Sequence, residues 1–198
     1  GADKQKNQLA IAEIQEIYTW YYLVTTYGNI PYSEAMNIDK PFPKYDDAKT
    51  VYGDLLTRLN KAITDLNPAA ESFGSADIIY GGNVAKWKKF ANSLKLKMGI
   101  TIADSDPALA KTTVESAVTS GVFTSNADNA AFDYLGAPPN TNPIWVDLVQ
   151  SGRDDFVAAS TLVNQLKTLN DPRIDNYLTF DQSGTDYSGA DPGVQSAY

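Results

Sequence analysis

The sequence predicts a mostly α-helical fold with long loops and little strand. Three observations carry this. Apolar residues recur at spacings of three and four in long segments, capping and chain-breaking residues bound those segments, and sustained period-two alternation is missing.

The first segment runs from about Lys4 to Tyr27. Ala10, Ile14, Ile17, Tyr21 and Val24 line one helix face, and Ile11, Tyr18 and Tyr22 widen it. Trp20 and Leu23 lie off that face, so the helix is expected to be apolar on most sides and central to the core. Gly28 is a suitable stop and Pro31 opposes continuation. Residues 28–44 then read as a loop, because Pro31, Pro41 and Pro43 fix φ and remove amide donors. A second helix is expected from about Asp47 to Leu66, with Asp46 as its cap. Val51, Leu55, Leu59, Ala62 and Leu66 form its stripe, broadened by Tyr52, Leu56 and Ile63. Asn67-Pro68 ends it. Residues 71–82 form a second loop closed by Gly81-Gly82.

Asn83 is a competent cap for a third helix. Trp87, Ala91, Leu94 and Met98 make its buried face, helped by Phe90 and Ile102. Asp106-Pro107 opens a fourth, with Pro in the first turn, and Gly121 closes it. Leu109, Val114, Ala117 and Val118 are its apolar residues. Residues 126–142, rich in Asn, Asp, Pro and Gly, read as loop. Ile144 to Val149 forms one or two helical turns. Ser160 is expected to cap a last helix containing Leu162, Val163, Leu166 and Leu169, which Pro172 ends. Ile174 to Phe180 reads as a short strand, and residues 181–198 as a polar excursion or frayed end. The elements make one domain, 1–198, with helices in consecutive antiparallel pairs. Gly1-Ala2-Asp3 reads as a trimmed or cleaved start, so the sequence is expected to be a piece of a longer protein.

The chain has 198 residues, with 24 acidic and 16 basic side chains and a net charge of −8. That balance argues against non-specific nucleic-acid binding, which needs clustered Lys and Arg. The densest basic stretch, Lys86-Trp87-Lys88-Lys89, reads as the solvated rim of an apolar helix face. No stretch approaches the run of about 18 apolar residues that marks a membrane span. The chain contains no Cys and no His. Thiolate chemistry, disulfides, zinc sites built on Cys or His, and nucleophile–histidine triads are therefore excluded. No cofactor and no metal is expected.

Several segments occur in a characteristic order. Tyr27-Gly28-Asn29-Ile30-Pro31-Tyr32-Ser33-Glu34-Ala35 follows an aromatic-rich helix, and Pro43, Tyr45 and Asp46 precede Val51-Tyr52 and Leu55-Leu56. Asp77-Ile78-Ile79-Tyr80-Gly81-Gly82 precedes Trp87-Lys88-Lys89-Phe90-Ala91-Asn92-Ser93-Leu94. Asp128-Asn129-Ala130-Ala131-Phe132 and Asn170-Asp171-Pro172-Arg173-Ile174 come later. This order resembles the SusD/RagB family of nutrient-binding outer-membrane lipoproteins, over residues 14–173. Asn29 departs from the usual Asp, and Lys97-Met98-Gly99 from the usual Arg followed by small residues. The resemblance implies a scaffold of tetratricopeptide-like helix pairs. It also implies a lipid-anchored position on the extracellular face of an outer membrane, the anchor lying outside this sequence. The implied partner is a TonB-dependent transporter, for which the protein captures glycan or peptide without catalysing a reaction. A glycan-degrading enzyme or its accessory domain, and a purely structural interaction scaffold, are the competing readings.

Candidate binding residues come from the aromatics, since sugars stack their apolar faces on flat rings with polar edges. The chain carries 12 Tyr, 7 Phe and 3 Trp. Trp20 and Trp87 sit on strong helices and are read as core. Trp145, near Tyr134, Asn140, Asn142 and Asp147, follows a Pro-rich loop. Tyr134, Asn140 and Trp145 are therefore the ligand-binding candidates, against the plainer reading that the loop packs on the helices. The Tyr27–Tyr32 stretch is read as a helix stop and Asp171-Pro172-Arg173 as a structural turn. The acidic pairs Asp46-Asp47, Asp104/Asp106 and Asp154-Asp155 read as caps or solvated groups, because a glycosidase needs two acids facing each other about 5–9 Å apart. Asp181, Asp186 and Asp191 do not follow the spacing of a calcium loop.

Overall fold

Helix α1 spans Ala2–Tyr27 and buries Ala10, Ile11, Ile14, Ile17, Tyr21 and Val24, the stripe expected from the spacing. In this computed structural model residues 1–153 and 156–194 are described. The chain divides into two compact units, 1–132 and 133–198. In the first, α1 packs on α2 (Ala48–Asp65), and α3 (Val84–Thr101) packs on α4 (Pro107–Ser120). The two pairs meet through α1–α3 and α2–α3 contacts.

Burial of α1 on most sides does not hold. Tyr18, Tyr22, Leu23 and Leu9 are exposed, because its neighbours cover only one stripe. Trp20 is half-buried, its indole N–H donating to Glu16 at 3.1 Å and its ring edge-on to Tyr32 at 5.0 Å. On α4 the buried residues are Ala110, Thr113 and Ala117, while Leu109 and Val118 face outward. Close approach selects these small residues. A Cβ on Gly99 of α3 would lie 2.8 Å from Val114 and 3.1 Å from Thr113, so these α4 side chains pack directly on the bare backbone of Gly99.

Buried amides set the pairing. Asn7, fully buried near the start of α1, donates through Nδ2 to the carbonyls of Asn67, Ala70 and Glu71 at 3.0, 3.3 and 2.9 Å. Its Oδ1 accepts from the Asn67 amide at 2.8 Å. The start of α1 is thereby fastened to the exit of α2, which makes the pair antiparallel. Asn92 of α3 does the same for α4, donating to the Ser120 and Gly121 carbonyls at 3.1 and 3.0 Å.

Loop 28–47 is closed at its base by a two-residue antiparallel ladder, β1 (Ile30–Pro31) against β2 (Tyr45–Asp46). Asp46 is not the cap of α2. Asp47 caps it, accepting from Thr50 N at 2.9 Å. Asp46 instead turns across the ladder and accepts from the backbone amides of Tyr32 and Ser33 at 3.2 and 2.7 Å, and from the Ser33 hydroxyl at 3.0 Å. These donors hold its carboxyl at about 2, below the ordinary 3.8. Asn29 Oδ1 accepts from Ala48 N at 2.9 Å, so the amide performs the capping contact that an Asp would make there. Gly28 ends α1 at a φ of 74°, a region open to glycine, with its N–H donating to the Val24 carbonyl at 3.0 Å.

The second unit is built of shorter pieces. Asn142 caps α5 (Pro143–Trp145), which runs into a π-turn over Val146–Gln150. Helix α6 (Ser160–Thr168) buries Val163 and Leu166 and leaves Leu162 and Leu169 exposed. Ala159 occupies its cap position. Ser160, expected there, is its first residue and donates its hydroxyl to Asp191 at 2.6 Å. Residues 174–180 are not a strand: Ile174–Tyr177 forms a helical turn, α7. The Asp171-Pro172-Arg173 turn starts it, with Ile174 N donating to the Asp171 carbonyl at 3.1 Å, and among the described residues no strand pairs with this stretch. Part of the polar tail is tied back by backbone bonds at Ala190. Ala190 N donates to the Ala158 carbonyl at 2.9 Å, and Ser160 N to the Ala190 carbonyl at 2.8 Å. The last four residues of the tail lie outside the described residues.

Candidate functional site

The first unit spends its motif residues on structure. Asp77 Oδ1 accepts from the backbone amides of Ile79 and Tyr80 at 3.0 and 3.1 Å. Its Oδ2 accepts from Gly82 N at 2.9 Å and from the Trp87 indole at 2.6 Å. Burial alone would raise this carboxyl, but the indole and the three amides outweigh it and hold it below the ordinary range. Tyr80 donates to the Asp128 carbonyl at 2.8 Å, and Asp128 itself accepts from Thr124 N at 3.0 Å and Lys89 at 2.9 Å. Trp87 is buried, as the helical spacing predicts. Arg58 joins α2 to α1 and to the loop, donating to Glu13, Glu16 and the Tyr32 hydroxyl at 2.6, 2.8 and 2.6 Å.

Asp47 and Asp106 are helix caps, and Asp46 staples the loop. Asp154-Asp155 lies outside the described residues. Asp181, Asp186 and Asp191 contact Ser183, Lys167 and Ser160 respectively, and among the described residues no group of acids is placed to hold a metal ion.

The candidates Tyr134, Asn140 and Trp145 all fall within residues 134–145 of the second unit, and all three are exposed. Leu135 N donates to the Asn140 carbonyl at 2.7 Å, which closes the loop between Tyr134 and Asn140. The Asn142 cap, Oδ1 to Ile144 N at 2.9 Å, then fixes the start of the helical turn that carries Trp145. Tyr134 is 50% exposed and Trp145 38% exposed, so both rings reach solvent. Asn140 is exposed, and its side-chain amide stands on the same segment.

A second feature of this unit escapes the sequence reading. Leu166, Lys167, Asn170, Asp171, Ile174 and Tyr187 line a cleft of about 380 Å³. Lys167 is held by Asp186 at 2.7 Å and by the Tyr187 carbonyl at 3.2 Å. The Tyr187 hydroxyl donates to Asp175 at 2.5 Å, which holds the phenol above its ordinary range. Its ring lies 4.8 Å from that of Phe180 at an interplanar angle of 34°. Asn170, with a φ of 49°, was the one available signal, since Asn tolerates the left-handed region that a helix exit uses.

No curated protein matches the sequence. Solved structures do. A SusD homolog from Bacteroides uniformis is 36% identical with a TM-score of 0.75, covering 92% of this chain and 38% of its own. A chitin-binding SusD homolog from Flavobacterium johnsoniae is 30% identical with a TM-score of 0.75, covering 93% of this chain and 39% of its own. The chain thus spans about two fifths of the length of the structures it matches. A family model described as starch-binding and associating with the outer membrane matches residues 1–198, and the chain belongs to that family, the SusD-like proteins.

Proposed function

We propose that this chain is part of a cell-surface nutrient-binding protein that captures oligosaccharide at an outer membrane and delivers it to a TonB-dependent transporter, without catalysing a reaction. One observation supports the ligand class above the others: exposed Tyr134 and Trp145 share a capped surface segment with the Asn140 amide. The chitin-binding relative supports a carbohydrate over other polymers. Helix pairs that hold loops are a normal way to present such a surface. The outer-membrane position rests on the family, and attachment there would be through a lipid anchor; no helix among the described residues is long and apolar enough to cross a membrane.

Calorimetric titration of the full-length protein with chito- and malto-oligosaccharides tests this. Saturable binding without release of shorter products is expected, weakened about tenfold by Trp145→Ala, the scale of one lost aromatic contact. Turnover of the glycan, or silence across both series, refutes the reading.

A further inference from the structure

The loop between α1 and α2 carries the barest apolar side chains of the first unit. Met36 is 88% exposed, Ile38 96% and Phe42 94%, and Pro41 and Pro43 flank the ring. The backbone that presents them is held in shape. Its base is the β1–β2 ladder with the Asp46 staple. Above the base, Ala35 N donates to the Tyr32 carbonyl at 3.3 Å, Asn37 N to Glu34 at 3.1 Å and Lys40 N to Asn37 at 3.0 Å. Asn37 Oδ1 accepts from Asp39 N at 2.9 Å, and Glu34 Oε2 from Lys44 N at 3.2 Å. These amides are satisfied within the loop, and Pro41 and Pro43 have none to satisfy. That lowers the cost of moving the tip from water into a less polar medium.

Charge favours the same medium. Residues 33–45 carry Glu34 and Asp39 against Lys40 and Lys44, on a chain whose net charge is −8. An anionic layer therefore does not repel the tip as it repels the chain as a whole. Lys40 lies 3.6 Å from Glu34 and Lys44 3.3 Å from Asp46, and both lysine side chains keep more than half of their surface in solvent.

Size decides the occupant. A stable protein–protein interface buries about 800 Å² on each partner. An aromatic side chain supplies roughly 150–250 Å², so Phe42 with Met36 and Ile38 falls short of that area. A lipid interface needs no matching shape and takes a few apolar side chains into the headgroup boundary.

We propose that this loop inserts Met36, Ile38 and Phe42 into the headgroup boundary of a lipid bilayer, with Lys40 and Lys44 at the level of the lipid phosphates. The inference rests on the outer-membrane position proposed above and adds a non-covalent contact to it. That contact would fix which face of the first unit lies toward the membrane.

The test uses the full-length polypeptide, produced unacylated, with vesicles of equal parts phosphatidylethanolamine and phosphatidylglycerol. Co-sedimentation is expected, weakened at least tenfold by Ile38→Asp combined with Phe42→Asp. Emission from Phe42→Trp, read against the wild type, should move to the blue when vesicles are added and be quenched by lipids brominated near the headgroup. Vesicle binding should survive Trp145→Ala. Absence of co-sedimentation, or binding that the double variant keeps, overturns the inference; so does loss of a protein partner in that variant with vesicle binding unchanged. Emission from Phe42→Trp that is already blue without vesicles also overturns it, since the tip would then be covered by protein. Fractionation of the acylated protein separates the two readings. Its presence in the outer membrane with silent vesicles sinks the loop contact alone, and its absence there sinks the membrane position and the loop contact together.

Discussion

Trp87 and Trp145 are the same residue type in two different settings. Trp87 sits in the first unit with 2% of its surface exposed, its indole N–H fixed on the Asp77 carboxylate. Trp145 sits in the second, 38% exposed on a short capped turn. The first unit buries Trp87 and the amides of Asn7 and Asn92 among four long helices, although Tyr18, Tyr22 and Tyr27 stay exposed, while in the second unit Tyr134 and Trp145 sit exposed on short elements. Long helices bury enough apolar stripe to be stable without ligand. Short turns bury little apolar surface of their own, so Trp145 stays partly exposed.

The largest expected effect breaks the first of these settings. Trp87→Ala removes a buried ring and takes the indole donor from the Asp77 carboxylate. A loss of about 3–5 kcal/mol is expected, seen as a lower denaturant midpoint. Asn7→Ala comes next. It orphans the Asn67 amide and removes the donor shared by three carbonyls, at a cost of about 2 kcal/mol. An unchanged midpoint in either variant would show that the first unit is not held as described.

These two residues also differ in how far their roles could be read in the sequence. Trp87 was legible because spacings of three and four are local, and so were the caps Asn83 and Asp106. Asn7 was not, since its partners lie some sixty residues away at the exit of α2. The same reason explains the other departures. Asp46 and Asp47 are equally good caps by type, and only the return of the chain at Ser33 decides between them. The buried face of α4 depends on where Gly99 lets α3 approach, so small residues displaced Leu109 and Val118 from the interior. Residues 174–180 carry strand-like composition, but a strand needs a partner, and the turn at Asp171 feeds a helix instead. At the candidate surface, the exposed ring of Trp145 was visible as an aromatic beyond a proline-rich loop. Tyr187 was hidden, because its contacts with Phe180 and Asp175 exist only after residues 158–160 and 190 pair.

Acid offers another test of how the first unit is held. Asp128 belongs to the first unit, where the Thr124 amide and the Lys89 ammonium hold its carboxyl at about 2 against an ordinary 3.8. A folded-state value depressed in this way stabilises the fold above the unfolded value and ceases to do so as pH falls through the folded one. The contribution is therefore present in full above about pH 4 and fades toward pH 2. Asp77, also lowered, works in the same direction. Chemical denaturation at pH 5 and at pH 2.5 should show wild-type stability falling between the two, and Asp128→Asn should flatten that fall. A slope unaffected by the substitution would remove Asp128 from the acid response.

The smallest expected change in stability is at Trp145, and it is the sharpest form of the comparison. Surface substitutions away from caps and cores usually stay within about 0.5 kcal/mol, so Trp145→Ala should leave the denaturant midpoint in place. The same variant is the one expected to weaken oligosaccharide binding. Trp87→Ala, measured at a temperature where it remains folded, should do the reverse and retain the glycan affinity of the wild type. If Trp145→Ala instead destabilises the protein by several kcal/mol, its ring is part of a core formed with the rest of the full-length chain. Recognition would then have to rest on other groups, with the cleft beside Asn170 and Tyr187 the next surface to test.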